Sequence, residues 1–171
     1  MVQYFKGDLL ESDCDVICHQ TNCIGAMGSG IARQIRKTYP ETYEALRERF
    51  ENGLAKLGEC DFVELKSKNP YDSAITHNYV VNCYSQFNCY PRGVRHTDYG
   101  AFRECCKKIK ERFEGKNFRI GFPYKIGSAL GGGDWEVMKQ IIEEEFKDSN
   151  WRVEVWQLKT ETTPLKTARK N

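Results

Sequence analysis

The sequence predicts an α/β fold built on a layered sheet. Two observations lead there. Strand-like and helix-like segments alternate along the chain. Two glycine-rich segments, Gly25 to Gly30 and Gly127 to Gly133, each follow a strand-like run and precede a helix-like one.

Val2 to Lys6 reads as the first strand, ended by Gly7 and Asp8. Asp15 to His19 is a short apolar run, as expected of a buried central strand. Gly30 to Lys37 places Ile31 and Ile35 on one helical face, and Pro40 opens the next helix, where a missing N–H costs nothing. Asp61 to Lys66 and His77 to Tyr84 read as two further strands, joined by a polar turn over Ser67 to Ser73.

A helix is expected from Asp98 to Phe113, because Tyr99, Phe102, Cys106, Ile109 and Phe113 step by three and four. Phe118 to Pro123 is the next strand. Asp134 to Phe146 is the last helix, with Asp134 placed to cap it, and Arg152 to Leu158 closes the sheet. Residues 1–158 thus form one domain, and the polar, aperiodic tail 159–171 is expected to be disordered.

The composition is that of an ordinary globular protein: 171 residues, 40% hydrophobic and 29% charged. A net charge of +2 is too small to argue for binding duplex nucleic acid. No apolar stretch approaches membrane-spanning length, and Met1 to Asp8 shows no signal peptide. Eight cysteines raise a disulfide scaffold as an alternative, but no C-x-x-C pair begins a zinc site. Several lie in apolar stretches, where a thiol packs as a small hydrophobe. Reduced thiols in a cytoplasmic monomer, with no metal and no cofactor, are the expectation.

The first loop, Asn22 to Gly30, holds Gly25, Gly28 and Gly30 between a buried strand and a helix. Such a loop brings backbone N–H groups and the positive end of a helix dipole to an anion. It lacks the Lys-Ser/Thr ending of a P-loop and does not match G-x-G-x-x-G. Alone it reads equally well as a tight turn. The second loop, Gly127-Ser128-Ala129-Leu130-Gly131-Gly132-Gly133, makes the anion reading stronger. Seven of 14 glycines fall in the two loops, and a diphosphate spanning both would account for them.

Gly7-Asp8-Leu9-Leu10, Val16-Ile17-Cys18-His19-Gln20-Thr21-Asn22 and the Gly25–Ile31 loop resemble the opening of a macro domain. Gly121-Phe122-Pro123, Gly127 to Gly132 and Trp135 resemble that family's second loop and the helix after it. The wording of the first loop is nearest the branch that includes ADP-ribose-1''-phosphate phosphatase and the glutamate-linked ADP-ribosyl hydrolase.

The resemblance implies a three-layer α/β/α sandwich with a central mixed, mostly parallel sheet, and ADP-ribose or an ADP-ribosylated molecule as partner. It implies that Asp8 accepts from the adenine amino group beside the Leu9 backbone, that Asn22 contacts the distal ribose, and that Trp156 packs on adenine. Gly25, Met27, Gly28, Gly30 and Ile31 of the first loop would line the ligand. The backbone of Gly127, Ser128, Ala129, Leu130, Gly131 and Gly132 would surround the phosphates. Without a ligand, Asp8 is a strand-ending turn residue, Asn22 an Asx-turn and Trp156 plain core.

Chemistry is less directly written. The glutamate-linked hydrolases use a lysine after the fourth strand and an aspartate in the second loop, where this chain has Gln86 or a neighbour and Gly131. Lys125 is the amine nearest a loop. The phosphatase branch implies a general acid–base role for His19, which otherwise is a core histidine. Asp134 either positions a water or only caps its helix, and Arg92, Arg95 and His96 either meet a terminal phosphate or form a solvated loop.

Three functions follow in order: a hydrolase of ADP-ribose derivatives, an ADP-ribose reader, and a single-stranded nucleic-acid binder using Tyr79 to Tyr90 with Arg92 and Arg95. The near-neutral charge speaks against the last, and no membrane partner is expected.

Overall fold

The computed structural model describes residues 1–66 and 77–159. Six strands form one sheet: β1 (Val2–Lys6), β2 (Val16–Asn22), β3 (Cys60–Glu64), β4 (Tyr79–Gln86), β5 (Arg119–Pro123) and β6 (Arg152–Gln157). Four helices accompany them: α1 (Gly30–Thr38), α2 (Pro40–Glu51), α3 (Tyr99–Phe113) and α4 (Trp135–Glu145). The order across the sheet is β1-β6-β5-β2-β4-β3. Every neighbouring pair is parallel except β3 with β4.

Side chains alternating along the central strands build a core on each face. Val16, Cys18, Val81 and Cys83 pack with Phe102, Ile109, Met138 and Ile142 of α3 and α4. Ile17, Val80 and Tyr84 pack with Ile35 and Leu46 of α1 and α2. Helices on both faces of the sheet make the three layers. Near-continuous apolar strands are what burial on both faces requires, and β4 is buried along nearly its whole length.

The expected elements all form, with shifted ends. β2 runs three residues past His19, and β4 starts at Tyr79 and continues to Gln86. Asp98 and Asp134 stand just outside their helices as caps, accepting from the N–H groups of Ala101 and Glu136. A short 3-10 helix, Leu9–Glu11, follows β1 and was not expected. The turn expected at 67–73 and nearly all of the tail lie outside the described residues. Among those described, no helix is long and apolar enough to cross a membrane.

Candidate functional site

The carboxyl ends of β2, β4, β5 and β6 open onto a cavity of about 590 Å³, a volume usual for small-ligand sites. Both glycine-rich loops reach it. Met27, Gly28, Gly30 and Ile31 line one side, and Gly127, Ser128, Ala129, Leu130 and Gly131 another. Asp8, Leu9 and Trp156 line it from the β1 and β6 ends, and Asn22 from the end of β2.

On the first side Ser29 caps α1 without a side-chain hydrogen bond, which leaves the first-turn N–H groups open. A Cβ added at Gly28 or Gly30 would meet nothing within 4 Å. Asn22 shapes this loop: its Oδ1 accepts from Ile24 and Ala26 N–H at 3.2 and 3.1 Å, and its Nδ2 donates to Ala26 O at 2.9 Å. The Asx-turn and the cavity-lining role therefore coexist in one residue.

The second loop is tied down from below. Gln20 Nε2 donates to Thr97 Oγ1 at 3.0 Å, and Thr97 Oγ1 donates to Gly127 O at 2.8 Å. The N–H groups of His96 and Thr97 both donate to Gly131 O. Ser128 N–H turns inward to Lys125 O, a correction to its expected place among the phosphate donors. Among the described residues the N–H groups of Ala129, Leu130 and Gly131 have no intramolecular partner. Unpaired donors at a cavity wall are the chemistry an anion needs.

Gly131 has a second reason to be glycine. A Cβ there would strike Thr97 Oγ1, Gln20 Nε2 at 2.7 Å and Gly127 O at 2.8 Å. No side chain fits, so an acid cannot occupy this position without moving the loop.

Four expected site residues do not reach the cavity. His19 lies three residues before the end of β2 and is fully buried. Its Nε2 bonds Asn82 Oδ1 at 2.6 Å, and burial pushes its pKa down to about 4. It is a neutral core histidine, not a cavity acid. Asp134 spends its carboxylate capping α4. Gly25 packs under Arg47 and Phe50, and Gly132 backs onto Val94 and Arg95. Both glycines have positive φ, so they shape the loops from behind.

Asp8 Oδ1 accepts from Leu10 N–H and so caps the 3-10 helix while lining the cavity. Trp156 stacks on Phe5, with centroids 5.0 Å apart, and donates from Nε1 to Glu154. It also lines the cavity.

Sequence reasoning missed Gln20, Gln34 and Thr97. A polar residue inside an apolar strand was the available signal for Gln20. Asp8 and Lys125 are the two charged residues among those lining the cavity. Lys125 adopts φ of 59°, a left-handed backbone that a lysine takes only under constraint.

At the rim, Gln86 and Cys89 line the cavity while Phe87 and Tyr90 stand 61% and 64% exposed beside exposed Arg92 and Arg95. Tyr84, from the same stretch, is instead buried in β4.

No protein-family model matches the chain. An uncharacterized 17.5 kDa protein of Enterobacteria phage T4 is 32% identical over 149 residues, covering 84% of this chain and 88% of that one. The DNA ADP-ribosyl glycohydrolase of Thermus aquaticus is 25% identical over 157 residues, covering 91% of this chain and 40% of that protein. The macrodomain of Mycobacterium tuberculosis DarG superposes with a TM-score of 0.75 at 22% identity, over 92% of this chain and 97% of that one. The chain takes the macrodomain fold.

This macrodomain spans less than half the length of the Thermus glycohydrolase. In it the end of β4 presents the amide of Gln86, whose Nε2 donates to Asn88 O at 2.7 Å. The second loop presents backbone donors rather than an acid.

Proposed function

We propose that this macrodomain binds ADP-ribose through its diphosphate and hydrolyses an ADP-ribosyl linkage. One observation carries the reading. The unpaired N–H groups of Ala129, Leu130 and Gly131 face the same cavity as the open N-terminus of α1. A diphosphate laid between them meets donors on both sides, with adenine directed toward Asp8, Leu9 and Trp156. The distal ribose then lies toward Asn22 and Gln86.

In the hydrolysis, water bonds to the anomeric carbon as the bond from that carbon to the acceptor breaks. The proton given up by water ends on the acceptor. The Gln86 and Asn22 amides orient the sugar and water, and Lys125 supplies the cavity's positive charge.

For the acceptor, the exposed rings of Phe87 and Tyr90 beside Arg92 and Arg95 favour a single strand of nucleic acid, whose bases stack on aromatic faces. The name of the Thermus relative supports the same acceptor. The eight free thiols support the further proposal of a reducing, cytoplasmic setting for a monomer.

The test is release of free ADP-ribose from an ADP-ribosylated single-stranded oligonucleotide, beside ADP-ribose 1''-phosphate and a glutamate-linked ADP-ribosyl protein. The reading expects the oligonucleotide to turn over fastest. Phe87→Ala with Tyr90→Ala should raise KM, and Gln86→Ala should lower kcat. ADP-ribose binding with no turnover of any of the three would leave a reader module and overturn the hydrolase.

A further inference from the structure

Away from the cavity, three cysteines distant in sequence converge inside the core. Cys60 opens β3 and Cys83 is its cross-strand partner on β4. Cys105 comes down from α3, which packs on β4. The three sulfurs lie within 4.8 Å of one another, and all three residues are buried.

None of these sulfurs has a strong partner. Cys105 Sγ donates to Glu59 O at 3.4 Å, Cys60 and Cys83 make long contacts, 3.9 and 4.0 Å, to backbone oxygens, and the thiols otherwise contact one another. A metal ion held about 2.3 Å from three coplanar sulfurs would set them about 4 Å apart. The present separations, all within 4.8 Å, are close to that spacing.

We propose that Cys60, Cys83 and Cys105 bind a thiophilic d10 cation, copper(I), in a three-coordinate site. Soft thiolates select such ions. The choice of copper(I) over zinc follows from the fourth ligand. Zinc takes four; the neighbouring carboxylates are engaged elsewhere, and the Cys18 thiol, which reaches Cys83, stands outside the group of three sulfurs that lie mutually within 4.8 Å. Asp61 holds Arg49, Asn82 and Tyr84, and Glu59 pairs with Lys108 and Arg49. Three sulfurs alone match the lower coordination of copper(I).

Binding exchanges three S–H protons for one ion, so three protons leave as it enters. Lys108 Nζ, which donates to Gly58 O at 2.8 Å, puts a positive charge at the edge of the cluster and partly offsets the thiolate charge.

The test titrates the full chain, reduced and free of oxygen, with copper(I) against a chromophoric chelator. One copper per chain should bind, and X-ray absorption should show three sulfur neighbours. Cys60→Ser, Cys83→Ser and Cys105→Ser should each weaken binding by at least about 100-fold. Circular dichroism of the copper-free variants checks that they remain folded. Cys18→Ser and Cys89→Ser should bind as the unaltered chain does. Failure of the unaltered chain to compete with the chelator, or tight copper binding that survives Cys60→Ser and Cys105→Ser, would overturn the site. A four-sulfur zinc complex lost on Cys18→Ser would overturn the three-coordinate assignment.

Discussion

Thr97 Oγ1 donates to the carbonyl oxygen of Gly127 at 2.8 Å, and this side-chain bond joins the segment after β4 to the diphosphate loop beside the backbone bonds from His96 and Thr97 N–H to Gly131 O. Thr97 is itself buried and accepts from Gln20, so the loop is anchored to β2 through one hydroxyl. Thr97→Val keeps the shape and removes both bonds. Gln20 Nε2 then keeps only Gln86. The variant should lose about 1–3 kcal/mol of stability by chemical denaturation, the cost of buried groups left unpaired. It should also bind ADP-ribose several-fold more weakly by calorimetry. Unchanged affinity would mean that the loop holds its form without this anchor.

Gly131→Ala tests the crowding behind the second loop. The added Cβ would strike the Gly127 carbonyl and the Thr97 and Gln20 side chains. Overpacking of this kind costs about 1–3 kcal/mol, and the donors of Ala129 and Leu130 should move with it. Loss of at least tenfold in ADP-ribose affinity is the expected reading. Gly131→Asp should fare worse still, since the position has no room for an acid.

His19 gives the protein an acid-sensitive core. Burial holds its folded pKa near 4, below the ordinary 6.5. Between these values the unfolded chain binds a proton that the folded chain refuses. Stability is therefore whole above about pH 6.5 and is lost as pH falls toward 4, by about 3 kcal/mol in all. Denaturation midpoints measured across that range should show the loss in the unaltered protein. His19→Gln should flatten that part of the profile, and an equal slope in both would refute the assignment.

Much of the fold was legible because periodicity and caps agree. The three-four stripe of α3, Pro40 at the start of α2, and Asp134 before α4 each marked one element locally. The strand ends were harder, since β2 stops where it meets the cavity and not where its apolar run stops. That shift moved His19 from a strand end to the middle of a strand, and a catalytic candidate became core. Backbone donors carry no side-chain signature, so which N–H groups of the second loop stay free could not be read: Ser128 turns inward while Ala129 does not. The thiol cluster was equally hidden, because Cys60, Cys83 and Cys105 meet only through the antiparallel pairing of β3 with β4 and the docking of α3.

The most direct measurement of the central claim is a thermal melt with and without ADP-ribose. At a hundred times its dissociation constant the ligand should add about 2.7 kcal/mol of stability. In a chain of this size the melting temperature should rise on the order of 5–10 °C, and Gly131→Ala should reduce the rise. An unchanged melting temperature at millimolar ADP-ribose would contradict the account.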